Sequence, residues 1–137
     1  MIEITHEPLN PEAITAKVLN AANGAVVTFL GTTRGRTANR NVLHLEYEAY
    51  TPMAEKKLDE VAEEIRSKYS VEDVFIAHRV GRLEIEEISL VVAVASPHRK
   101  DAFAACEYAV DRIKQTVPIW KKEFFEGGEV WVESPED

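Results

Sequence analysis

The amino-acid sequence predicts an α+β fold, with helices packed on a largely antiparallel sheet. Apolar residues recur at helical spacing in three separated stretches. Between them lie segments that alternate polar and apolar residues, or run unbroken at strand length. The links are a mixture of hairpin-length turns and helical crossovers, so the implied order is α-β-β-α-β-β-α-β-β. The 137 residues suit one domain, 1–137, and would be cramped as two.

Asn10-Pro11 reads as a helix cap followed by proline at the first helical position. The helix is expected to run through Ile14 and Val18 and to stop at Asn23-Gly24, a favoured C-terminal pair. AVVTFLG follows as a short apolar strand. Residues 31–41, GTTRGRTANRN, are polar, glycine-bearing and basic, and predict a mobile loop. NVLHLEYEAY alternates, with Leu43, Leu45, Tyr47 and Ala49 on one face and His44, Glu46 and Glu48 on the other, which is a half-buried strand. Thr51-Pro52 opens a helix whose Leu58, Val61, Ile65 and Tyr69 share a face. VEDVFIAHRVGRLE and ISLVVAVAS are the next two strands, joined near Glu86-Glu87. Ser96-Pro97 starts the last long helix and Pro118 ends it. The tail, WKKEFFEGGEVWVES, predicts a hairpin turning at Gly127-Gly128.

Composition narrows the function. No apolar run approaches the roughly 20 residues needed to span a bilayer, and MIEITHEPLN lacks the basic and apolar regions of a secretory signal. Cys106 is the single cysteine, which excludes an internal disulfide and a cysteine-based zinc cluster. These features point to the cytoplasm. A net charge of −8 argues against non-specific nucleic-acid binding, which needs a basic footprint. It also means that cations clustered in this chain ask for a reason.

Such clusters exist. On the last long helix Phe103, Cys106, Val110, Ile113 and Val117 fall on one stripe, with Lys114 at its edge. A lysine there is expected to be part-buried. It is either a proton-transfer group or a snorkelling side chain stabilised by the helix C-terminus. His98, Arg99 and Lys100 occupy the first turn of the same helix, where the macrodipole is already positive. They make either a phosphate or carboxylate site or a solvated turn eased by Asp101. Lys121 and Lys122 follow in an extended segment and point to opposite faces, so only one can face a given pocket. The alternative for the pair is protection of an edge strand. Arg34 and Arg36 lie in the glycine-bearing loop, either as an anion clamp or as solvated cations.

Other chemistries have less support. GTTRGR lacks the ending of a P-loop, and His6, His44, His78 and His98 lack metal-binding spacing. There is no nucleophile elbow, and Cys106 is most simply a core residue. Geometry adds one inference. His98 and Lys114 lie 16 residues apart on one helix, about 24 Å along its axis. A small ligand can touch both ends only if one end comes from a second copy of the chain, at a symmetric dimer interface.

VVTFLGTTRG, LEYEAYTPMAEKKL, AHRVGRLEIEE, VAVASPHRKDAFAA, and DRIKQTVPIWKKE with the later VWVE together resemble the catalytic (large) subunit of molybdopterin synthase, from about Gly24 to Glu133. The resemblance implies an α/β hammerhead-type fold and a homodimer within a heterotetramer, each copy binding a small ubiquitin-like sulfur-carrier subunit. The carrier's C-terminal Gly-Gly thiocarboxylate would supply two sulfurs to cyclic pyranopterin monophosphate, giving the dithiolene of molybdopterin, with no metal or organic cofactor. By residue match, Lys114 and Lys121 would be catalytic. Thr32, Thr33, Arg34, His98, Arg99, Lys122 and Glu123 would join them in binding substrate and carrier tail. The loop reads Thr32-Thr33-Arg34 where some members carry a further basic residue, and the sequence stops at SPED without the longer basic tail of some relatives. Two other classes compete with this sulfurtransferase. One is a non-catalytic module binding a phosphorylated metabolite, which has no need of Lys114. The other is a metal-dependent hydrolase, which chelators would inhibit.

Overall fold

The computed structural model describes residues 1–132, so residues 133–137, including the SPED terminus and Glu133, lie outside the described part. In chain order the elements are β1 (Ile2–Thr5), α1 (Pro11–Ala16), β2 (Ala25–Thr32), β3 (Arg36–Thr37), β4 (Arg40–Ala49) and α2 (Thr51–Lys68). They continue as β5 (Asp73–Arg79), β6 (Gly81–Glu84), β7 (Ile88–Ser96), α3 (Arg99–Thr116), β8 (Ile119–Phe125) and β9 (Gly128–Val132). The fold is α+β, and every strand pairing but one is antiparallel.

Two sheets form. The first has the order β1-β5-β7-β2, and the second runs β3-β4-β8-β9 with β6 added to β4. β7 is the centre of the first sheet, and its SLVVAVAS stretch is buried on both faces. That explains its unbroken apolar run. One face takes α2 and α3, whose Leu58, Val61, Ile65, Ala105, Cys106, Ala109 and Ile113 pack on Val74, Ile76, Val92 and Val94. The other takes α1 and the turn that follows it, where Ile14 and Val18 meet Phe75, Ala77, Val91 and Ala93. Removing a leucine such as Leu58 from water contributes on the order of 1.5–3 kcal/mol.

Several expectations need correction. β1 lies outside the predicted order: four residues carry little periodic signal, and its parallel partner β5 is some seventy positions away. The first helix ends at Ala16 rather than Asn23, because the backbone tightens into three-residue turns from Ile14 to Leu19. Asn20 and Asn23 instead hold Asp73 with their side chains. The segment VEDVFIAHRVGRLE is two strands, not one. Gly81 takes a positive φ of 91°, a conformation that favours glycine, and passes the chain from the first sheet to the second. The 31–41 stretch is not a plain loop. Ala38 and Asn39 adopt left-handed backbone, and Arg36–Thr37 pairs with Arg40–Asn41 as a small hairpin. A bulge between Val42 and His44 changes the facing of β4, so Val42 is buried and Leu43 is exposed.

Candidate functional site

The two sheets and the C-terminal end of α3 enclose a cavity of about 560 Å³, a size suited to a small organic ligand. Thr32, Arg34, Lys114 and Lys121 line it together, although they come from β2, the following loop, α3 and β8. Exposure sorts the lining by depth. Arg34 and Lys114 are exposed and Lys121 is half-buried, while His78, Ser89, Leu90, Ile113 and Val117 are buried. The cations form a rim over an apolar floor that carries a few neutral polar groups.

Each rim residue has a structural cause. A register shift between Gly31 and Thr32 ends the regular β2–β7 ladder. Thr33 then donates from both its backbone N–H and its hydroxyl to the Glu87 carbonyl, at 3.0 Å each, and accepts from the Glu86 N–H at 2.8 Å. This clamp fixes the point from which Arg34 projects. Thr33 itself is 3% exposed and serves the loop rather than the cavity. Lys114 stands in the last turn of α3, where its charge complements the helix dipole. Pro118 ends the helix and β8 begins at once, in register with β4 so that Lys121 lies across from Tyr47. Cross-strand partners share a face, and both side chains reach the cavity.

The alternation of β8 separates its neighbours. Lys122 points to the opposite face, where it pairs with Glu129 at 3.3 Å and lies over the Phe124 and Trp131 rings. Glu123 returns to the Lys121 face but is buried beyond the cavity lining. Its carboxylate accepts from the Thr37 hydroxyl at 3.2 Å and sits 3.6 Å from Arg40, bracing the β3–β4 hairpin. Among the described residues, Glu123 Oε1 and Arg40 Nε are buried without hydrogen-bond partners. His98 and Arg99 are exposed at the N-terminal end of α3 and do not line this cavity within one chain. Arg99 and Lys100 border a separate groove with Val27, Phe29 and Phe103.

Two features of α3 differ from the stripe drawn from the sequence. Lys114 is exposed rather than part-buried, and Phe103 is 63% exposed. The buried face is Ala102, Ala105, Cys106, Ala109, Val110 and Ile113. Three alanines let the helix approach the sheet closely, so small residues rather than the largest ones set its orientation. Lys114 and Phe103 each follow a buried residue and are rotated about 100° away from it. Cys106 is a core residue as expected: burial pushes its thiol up to about 11, and it makes a poor nucleophile.

The floor holds what the sequence reading passed over. His78 is 6% exposed, and its Nδ1 lies 2.8 Å from the Arg79 carbonyl oxygen. Burial lowers its pKa to about 4, so the ring is neutral at ordinary pH. The Tyr47 ring meets it edge-on at 5.0 Å between centroids. Burial raises the Tyr47 hydroxyl, an effect opposed by Ser89 and reinforced by Glu123. Ser89 donates to the Gly31 carbonyl at 3.2 Å. The one available signal was a histidine inside the apolar run VFIAHR. Among the described residues no group of three or more His, Cys, Asp or Glu side chains could hold a metal ion. Among the described residues no helix is long and apolar enough to cross a membrane.

Known proteins place this architecture. The sequence model of the MoaE protein family matches residues 4–116. The molybdopterin synthase catalytic subunit of Staphylococcus carnosus is 52% identical over 130 residues, covering 95% of this chain and 87% of that protein. The crystal structure of molybdopterin synthase from Staphylococcus aureus superposes with a TM-score of 0.92 at 48% identity, over 96% of each chain. A complex of subunits 1 and 2 of the molybdopterin-converting factor from Helicobacter pylori shares the fold, with a TM-score of 0.79 at 19% identity over 96% of this chain and 90% of that one. The family match and the high identity along nearly the whole length agree, and the chain belongs to the MoaE family of molybdopterin synthase catalytic subunits.

Proposed function

We propose that this chain is the sulfur-transferring subunit that converts cyclic pyranopterin monophosphate to molybdopterin, in the cytoplasm, as a step of molybdenum cofactor biosynthesis. The sulfur donor is the C-terminal thiocarboxylate of a small ubiquitin-like carrier subunit. The observation that carries the reading is the convergence of Arg34, Lys114 and Lys121 on one cavity in an acidic protein. Sulfur transfer brings an anionic thiocarboxylate beside a substrate phosphate. Cations held at fixed points oppose that repulsion and stabilise the charge that develops as the acyl–sulfur bond breaks. A ligand seated on the apolar floor displaces water from the rim and strengthens their effect.

Within this reading Arg34, with Thr32 beside it, holds the phosphate from the clamped loop. Lys114 acts on the thiocarboxylate and Lys121 steadies the carrier tail. Glu123 and Thr33 support the site by fixing the hairpin and the loop. Lys122 lies on the outer face of β8, where a carrier subunit could meet it. His98 and Arg99 enter through a second copy of the chain. That placement is supported by the helix-length argument and by exposed Phe103 beside Arg99, an apolar surface suited to being covered in a dimer.

The test mixes the purified chain with a thiocarboxylated carrier and the pyranopterin, and assays the dithiolene. Product is expected with the wild-type chain. Lys114→Ala is expected to lose turnover while keeping most of its affinity for substrate. Unchanged turnover in that variant would remove Lys114 from the chemistry, and absence of product from the wild type would remove the reading itself.

A further inference from the structure

His78 carries an argument of its own. A carbonyl oxygen can only accept, so the 2.8 Å contact with Arg79 requires the proton to sit on Nδ1. A neutral imidazole has one N–H, which leaves Nε2 as a bare acceptor. Among the described residues Nε2 makes no hydrogen bond, although the side chain is 94% removed from solvent, and the residue lines the cavity. Tyr47, which meets the imidazole edge-on, and Ser89 give the same floor two hydroxyls. Among the described residues no charged side chain belongs to the buried floor and the His78 ring is neutral, so the floor suits an uncharged, hydrogen-bonding ring.

We propose that Nε2 of His78 accepts a hydrogen bond from a ring N–H of the bound heterocycle, making His78 a specificity residue for the pterin end of the substrate. This rests on the function proposed above and deepens it by orienting the substrate. The ring lies down on the His78 floor, and the phosphate stays at the Arg34 rim. The alternative orientation buries a phosphate among Leu90, Ile113 and Val117 beside a histidine that is not cationic, with no positive partner at that depth.

The experiment uses the full chain and two probes, a reduced pterin without phosphate and inorganic phosphate. His78→Asn keeps a donor near the Arg79 carbonyl and removes the Nε2 acceptor. It is expected to weaken the pterin about tenfold or more and to leave phosphate within about twofold. Arg34→Ala is expected to show the reverse pattern. Equal pterin affinity in His78→Asn and wild type overturns the inference, as does an equal loss of both probes. In the wild-type chain, imidazole nitrogen NMR gives a readout that needs no stable variant. Pterin is expected to move the Nε2 resonance of His78 toward that of a hydrogen-bonded nitrogen. An unmoved resonance, or a free-protein spectrum with the proton on Nε2, overturns the inference equally. If the wild-type chain binds neither probe, the substrate assignment fails, a result distinct from pterin binding that ignores His78.

Discussion

The rim and the floor of the cavity are built on opposite principles. The rim groups, Arg34 from a loop, Lys114 from a helix end and Lys121 from β8, are charged and exposed or half-buried. The floor groups, His78, Ser89 and Tyr47, are neutral and held within strands. The exposed charges of Arg34 and Lys114 stay solvated until a ligand displaces water, so they can be concentrated there at little cost to the fold. The floor has no such freedom. A charge placed beside Leu90 and Ile113 would have to be neutralised, and the depressed His78 pKa is that neutralisation in practice. The rim can therefore change with mainly catalytic consequences, while changes to the floor reach stability as well.

Four experiments probe that division. The largest effect is expected at the rim, where Lys114→Ala should lower turnover about a hundredfold or more, the loss found when a preorganised electrostatic group is removed. Its melting temperature should stay within about 2 °C, because the side chain is exposed. A melting temperature that falls with activity would erase the distinction between rim and floor. The completeness of the rim is tested by mixing inactive Lys114→Ala and Arg99→Ala chains under conditions that exchange subunits. If each site uses both copies, about a quarter of wild-type activity should return, since half the dimers then hold one intact site. No recovery in verified mixed dimers would mean that Arg99 does not complete the rim.

The floor is tested by acid. His78 has a folded pKa of about 4 against 6.5 for the unshifted group, so the unfolded chain binds a proton first as pH falls. The stability it contributes is fully present above 6.5 and is lost between 6.5 and about 4. Urea unfolding of the wild type should therefore lose on the order of 3 kcal/mol over that interval from this group. His78→Gln should show a visibly shallower dependence, and a matching slope in both proteins would place the acid sensitivity elsewhere.

The smallest effect is expected behind the floor. Burial raises the Cys106 thiol to about 11 from 9.0, so thiolate is scarce and shielded at pH 8. Alkylation should require unfolding. The associated stability is complete below pH 9 and lost as pH rises through about 11. Cys106→Ala should cost roughly 1 kcal/mol and leave turnover within about twofold. Rapid alkylation of the folded protein would show that the helix-packed core behind the floor opens.

The sequence was informative where one residue's meaning depends on its near neighbours. The periods of 3.6 and 2 marked α2, α3, β4 and β7, because burial on one face or two leaves a local pattern. Cations stood out against a charge of −8, so Arg34, Lys114 and Lys121 could be named as candidates from the chain alone. His78, Tyr47 and Ser89 were not legible as site residues, since each looks like an ordinary strand residue until its cavity exists. The exposure of Lys114 was not legible either, because three alanines rather than the bulky residues of α3 decide which face meets the sheet.

What the chain determined by itself was thus its α+β class, most of its elements, its family and the identity of its rim charges. Tertiary structure alone decided the sheet switch at Gly81, the parallel seat of β1, the facing of Lys121 against Lys122, and which polar groups share a cavity. The physical reason is range. Propensity and periodicity act over a turn or two, whereas register, depth and desolvation depend on partners tens of residues away, which no local pattern encodes.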